Sequence, residues 1–145
     1  MQTWKKTVFT VLLAGTQFPA LAAGIPVNLY KNPNCGCCDL YAEHLEANGF
    51  KVKMINTNDM ASVKQKHGIP ENMEGCHTAT IKAYVFEGLI PAENIKDVLA
   101  RRLPVKGLSV PGMPVGAPGM PGNKKGAIHV YYLSASANPN VFASF

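Results

Sequence analysis

Three of the four cysteines in this chain fall within four consecutive positions, Cys35-Gly36-Cys37-Cys38, directly behind Asn32-Pro33-Asn34. The stretch contains a C-x-x-C pair, a C-x-C pair and an adjacent pair, a density that packing does not require. The fourth cysteine, Cys76, stands far along the chain and is followed at once by His77. A fold that returns Cys76 to the first three gathers four thiols and an imidazole at one place. Thiolates are both the nucleophiles of disulfide exchange and ligands of soft metals. The chain is therefore expected to build a thiol redox centre, a soft-metal site or a disulfide framework around this turn.

The residues flanking the turn predict a strand-to-helix junction. Residues 25–30 form an apolar run with Val27, Leu29 and Tyr30, suited to a buried strand, and Asn32-Pro33-Asn34 breaks it. Residues 39–48 are helical in pattern, with Tyr41, Ala42 and Leu45 on one face, Glu43 and Glu46 on the other, and Gly49 just past the end. The cysteines then sit at or just inside a helix N-terminus. Free N–H groups and the positive end of the macrodipole favour thiolate there.

Beyond this junction, residues 50–55 alternate Phe50, Val52 and Met54 against Lys51 and Lys53, predicting a half-exposed strand. Asn58 can cap a helix over residues 59–67 whose apolar face is Met60, Val63 and His67, ended by Gly68 and Pro70. A loop over 71–75 delivers Cys76 and His77. Residues 78–86 are expected to form one strand bent at Lys82-Ala83, or two short strands. Residues 91–102 predict a helix with proline in its first turn and Ile95, Val98, Leu99 and Leu103 on one side. The pattern is that of one α/β domain.

Residues 104–122 hold five prolines and five glycines, which argues against regular helix or a central strand. Leu108, Val110, Met113, Val115 and Met120 make the segment too apolar for a solvated linker, so it is expected to wrap along the domain in extended form. Residues 127–133 return to a strand pattern, and residues 135–145 are expected to be ordered only in part. His44, His67 and His129 are read as surface or capping residues.

The first 22 residues resemble an export signal. Lys5 and Lys6 precede an apolar run over 8–18, and Ala20-Leu21-Ala22 is a small-residue cleavage box. The run is too short for a permanent membrane anchor, so cleavage near Ala22 and work outside the cytoplasm are expected. With Lys5 and Lys6 set aside, 12 basic residues against 9 acidic leave a charge of +3. These charges are scattered without aromatic interleaving, which speaks against a nucleic-acid partner. At 145 residues, 47% of them hydrophobic, the chain has room for one domain with a real core.

Several stretches together resemble a known family. They are Asn34-Cys35-Gly36-Cys37-Cys38, Cys76-His77-Thr78-Ala79, Glu87-Gly88 with Ile90-Pro91, and the long run from Gly107-Leu108-Ser109-Val110-Pro111-Gly112 to Met120. In these the chain is similar to the domain of unknown function 411 family, periplasmic metalloproteins linked to copper resistance with a thioredoxin-like fold. Leu89 stands where that family usually has histidine. The resemblance implies a thioredoxin-like single domain over residues 23–103, a Pro/Gly/Met-rich segment over 104–122, and a C-terminal strand and tail over 123–145. It also implies a periplasmic location and copper as the metal.

On that basis Cys35, Cys37, Cys38 and Cys76 are the expected ligands of Cu(I), several ions being bridged by shared sulfur. His77, Met113 and Met120 are secondary candidates. Copper ions and other periplasmic copper-handling or redox proteins are the expected partners. The alternative is a thiol-disulfide oxidoreductase in which Cys35 attacks and Cys38 resolves. Zinc suits the set less well, because adjacent Cys37 and Cys38 strain a closed tetrahedral site. A purely disulfide-stabilised domain is the remaining alternative. In a thioredoxin-like order, Cys76 is expected to occupy the loop position facing the first helix.

Overall fold

In a computed structural model, residues 23–145 are described; the expected export signal, residues 1–22, lies outside them. Strand β1 (Ile25–Lys31) leads into helix α1 (Gly36–Ala47), strand β2 (Phe50–Asn56) and helix α2 (Met60–Lys66). A single 3-10 turn, Glu71–Met73, precedes strands β3 (His77–Ile81) and β4 (Tyr84–Gly88) and helix α3 (Ala92–Arg101). Strands β5 (Gly107–Val110), β6 (His129–Tyr132) and β7 (Val141–Ser144) complete one mixed seven-stranded sheet in the order β2-β1-β3-β4-β5-β6-β7. Among the described residues no helix is long and apolar enough to cross a membrane.

The pairing follows from the connections. β1 and β2 run parallel, as do β4 and β5, and parallel neighbours need a crossover, which α1 and α3 supply. β3 is antiparallel to both β1 and β4. The bend at Lys82-Ala83 is a tight turn between two short strands, with Lys82 in the left-handed region at φ 54°. Val27 and Leu29 of β1, Tyr41 and Leu45 of α1, Phe86 of β4, and Ile95 and Val98 of α3 are all buried in one core. The apolar faces expected for α1 and α3 thus both point inward. Tyr41 also donates from its hydroxyl to the Ile90 carbonyl at 2.8 Å, and His44 Nε2 accepts the Ala92 N–H at 3.2 Å. The second bond satisfies one of the free N–H groups at the start of α3.

Four expectations need correction. Residues 104–122 do contain a central strand: β5 is wholly buried between β4 and β6. Its four residues carry no proline, and the ring constraints of Pro104 and Pro111 fall just outside it. Within residues 135–145, expected to be ordered in part, Val141–Ser144 form β7, paired with β6 at the sheet edge. Met54 is exposed because β2 is the opposite edge strand, where Val52 and Ile55 are the partly covered positions. In α2 the buried residue is Lys64, with the expected stripe of Met60, Val63 and His67 only half-buried, and the cap is not Asn58 but Asp59, whose carboxylate accepts the Ser62 N–H at 3.0 Å.

Candidate metal centre

The turn that carries the first three cysteines is built from its own polar residues. Asn32 accepts the Cys35 N–H on its carbonyl and the Asn34 N–H on its side chain, both at 3.0 Å, the local bonding for which asparagine is favoured in turns. Lys31, buried at the end of β1, braces the far side. Its ammonium pairs with Asp39 at 3.0 Å and reaches the Pro33 carbonyl at 3.4 Å. Helix α1 begins earlier than the sequence pattern suggested: Cys35 is its N-cap, and Cys37 and Cys38 lie in its first turn. Cys35 and Cys38 are joined by a disulfide, with Cα atoms 5.4 Å apart. Cys37 and Cys76 are free thiols.

Cys76 arrives from the loop before β3. The residue ahead of it, Gly75, is gripped on both sides of its peptide: its N–H donates to Glu87 Oε1 at 2.8 Å, and its carbonyl accepts from Lys64 Nζ at 3.0 Å. Lys64 and Glu87 form a buried ion pair, and the Thr78 hydroxyl donates to the other carboxylate oxygen at 2.7 Å. Burial pushes the Glu87 carboxyl above its ordinary range, with the Lys64 ammonium pulling it back. A β-carbon on Gly75 would lie 2.6 Å from the Cα of Gly88, so only glycine lets this loop pack as it does on the end of β4.

These two loops bring the sulfurs of Cys35, Cys37, Cys38 and Cys76 within 4.8 Å of one another. Cys37 Sγ lies 3.3 Å from Cys35 Sγ and 3.6 Å from Cys76 Sγ. Cys38 is fully buried, whereas Cys35 and Cys37 are partly open. Burial first, and the neighbouring Cys37 second, push the Cys76 thiol up to about 12.

His77 is wholly buried, with Nδ1 3.3 Å from Cys76 Sγ and its ring stacked on Tyr41 at 4.4 Å between centroids. Burial, then the Lys64 charge, hold its pKa down at about 3. The neutral imidazole and the Cys76 thiol share a hydrogen bond at Nδ1 whose direction is set by the imidazole tautomer; Nε2 is buried with no hydrogen-bond partner.

The Pro/Gly-rich segment after β5 runs between the two cysteine loops. Gly112 bridges to Gly75, its N–H donating to the Glu74 carbonyl at 2.8 Å. Further on, a β-carbon on Gly119 would lie 2.8 Å from both Cys37 O and Tyr41 N, which places this segment directly on the first turns of α1. Met120 is partly buried against the core, whereas Met113 is 52% exposed. His67, beside Tyr30, and His129, bonded to the Ser144 hydroxyl at 2.7 Å, have local partners away from the cysteines.

With the Cys35–Cys38 disulfide reduced, the donor set fits a soft ion: four sulfurs and one neutral imidazole at hydrogen-bonding distance, with no carboxylate among them. Sequence pattern marks neither Lys31 nor Lys64, and Glu87 stands out only within the Glu87-Gly88 motif. Glu87 is a charge inside an apolar run, whereas Lys31 closes one and Lys64 lies in a polar stretch, and only the fold pairs Lys64 with Glu87.

Fold and site together define a mixed α/β domain with a four-cysteine group, able to hold a metal ion, at the N-terminus of its first helix. The family model described as "Protein of unknown function, DUF411" matches residues 73–120. Two solved structures of "Copper resistance protein copG", Form 1 and Form 2, are similar at 41% and 40% identity, each with a TM-score of 0.76. In both cases 84% of this chain and 98% of the other are covered. The chain belongs to the DUF411 family. Among curated proteins none matches.

Proposed function

We propose that this chain is an exported copper-binding protein that holds Cu(I) on the thiolates of Cys35, Cys37, Cys38 and Cys76 in the service of copper resistance. The observation that carries this reading is the convergence of four sulfurs within 4.8 Å. Soft thiolate selects Cu(I), and sulfurs this close can be shared between ions, so that more than one is held. The likeness to copper resistance protein copG favours copper over zinc. The signal-like residues 1–22 favour a periplasmic location. His77, beside Cys76, and Met120, on the segment covering α1, are the further donors within this proposal; Met113 is the more open one.

The thioredoxin-like description draws support from the order β1-α1-β2 followed by β3-β4-α3, with thiols at the start of α1. It supports a second role for the same residues. The Cys35–Cys38 disulfide beside the two free thiols Cys37 and Cys76 favours electron exchange. Closing Cys35–Cys38 from the dithiol gives up two electrons and two protons, enough to reduce two Cu(II) to two Cu(I). Partner proteins on this reading are other periplasmic copper-handling or redox proteins.

The test is anaerobic purification with metal analysis and a free-thiol count, followed by competition for Cu(I) against a chelator. Tight Cu(I) binding that disappears when the thiols are alkylated supports the reading. Equal capacity before and after alkylation removes the cysteines as principal ligands.

A further inference from the structure

Lys64 and Glu87 sit on different elements, α2 and β4, and both are buried, their side chains 6% and 0% exposed. Burying two charges is costly unless every lone pair and proton is used, and apolar replacements are often as stable. Stability alone therefore does not account for the pair.

Its bonds point to a task. Lys64 is the buried residue of the seven-residue helix α2, and its ammonium bonds the Gly75 carbonyl at 3.0 Å. Glu87 takes the N–H of the same residue at 2.8 Å and is itself fixed by Thr78 at 2.7 Å. Both polar groups of the residue immediately before Cys76 are thus held by opposite charges. The opposite wall of the site has a matching brace, Lys31 with Asp39 and Pro33.

We propose that the buried Lys64–Glu87 pair is a positioning device that fixes the Gly75 peptide so that Cys76 Sγ stays beside Cys37 Sγ. The pair touches no sulfur and takes no part in ligation. It converts a loop that would otherwise sample many positions into a fixed fourth wall for the thiol group. The proposal deepens the metal-holding reading of Cys76, but its own test needs no metal.

The test is disulfide trapping in a Cys35→Ser/Cys38→Ser background, where Cys37 and Cys76 are the two remaining thiols. Diamide closes them, taking two electrons and two protons, and the closing rate reports how often the sulfurs meet. Lys64→Met should slow closure about tenfold or more, because the freed loop opens locally. Glu87→Gln, which keeps one oxygen for the Gly75 N–H and turns its amide N–H toward the Thr78 hydroxyl, should close at an intermediate rate. Lys64→Met/Glu87→Met removes both charges and should regain melting temperature over Lys64→Met while remaining slow.

That divergence separates positioning from bulk stability. A double variant that closes as fast as the parent, or single variants with unchanged rates, overturns the proposal. If Lys64→Met does not fold, Glu87→Gln and the double variant decide on the same criteria. Cu(I) titration of the otherwise wild-type chain, run alongside, distinguishes the two claims. Slowed closure without Cu(I) binding counts against the copper reading alone, whereas Cu(I) binding with unresponsive closure counts against the positioning role alone.

Discussion

Cys37 and Cys76 are separated by 39 residues in the chain, yet their sulfurs lie 3.6 Å apart. One comes from the first turn of α1 and the other from the loop entering β3. Because β1 pairs with β3, the start of α1 and the loop before β3 meet at the same end of the sheet. That proximity is what makes a C-x-C-C turn and a distant cysteine one chemical unit.

Replacing Cys76 with serine removes one wall of the group without touching the turn. Cys76→Ser should lower Cu(I) capacity by about one ion or more per chain, while the Cys35–Cys38 disulfide still forms. Because burial and Cys37 push the Cys76 thiol up to about 12, Cu(I) must displace its proton at neutral pH. The apparent affinity of the wild type should then rise with pH, by about tenfold per unit for each proton displaced. Cys76→Ser should flatten that slope, as read by chelator competition across pH 6 to 9 (about the range where thiol protons are displaced).

Thiol reactivity should follow exposure and protonation. In the reduced protein, Cys35 should alkylate ahead of Cys38, which is fully buried. With the disulfide closed, Cys37 should label ahead of Cys76, whose high pKa leaves little thiolate. Brief alkylation near neutral pH followed by peptide mapping checks both orders, and preferential labelling of Cys38 would reverse the assigned roles.

Copper and oxidation should oppose each other. Closing Cys35–Cys38 consumes two of the four sulfurs, so oxidised protein should hold less Cu(I) than reduced protein, and bound Cu(I) should slow oxidation. Chelator competition on both redox forms measures the first effect, and the rate of thiol loss under a fixed oxidant measures the second.

The apo protein should be sensitive to acid through His77. Its folded-state pKa is depressed from the ordinary 6.5 to about 3 by burial and by Lys64. The folded state therefore binds this proton less readily than the unfolded chain. The stability it contributes is fully present above 6.5 and is lost as pH falls toward about 3. Glu87 acts with the opposite sign: burial raises its carboxyl above the ordinary 4.5, so its contribution is present below that value and is lost as pH rises. Denaturant midpoints measured from pH 7 down to about 4 should fall less steeply in His77→Gln than in wild type.

Much of the architecture was legible because burial follows spacing. Tyr41, Ala42 and Leu45 marked the inner face of α1, and Ile95 and Val98 that of α3. Strand β5 was hidden because prolines on either side of a four-residue run dominate its composition, while the run itself pairs normally. Met54 was misplaced because alternation alone cannot tell an edge strand from an interior one. Lys64 and Glu87 escaped because a charge is ordinarily assigned to solvent, and their pairing depends on α2 crossing to β4. The meeting of Cys76 with the other cysteines was anticipated from chain order, but the grip on Gly75 that holds it there was not.

The most direct test of the central claim is X-ray absorption at the copper edge on the anaerobically reduced protein loaded with Cu(I). The account predicts a first shell of sulfur that weakens in Cys76→Ser and collapses when all four cysteines are replaced. A shell of nitrogen or oxygen, unchanged by those substitutions, would contradict it.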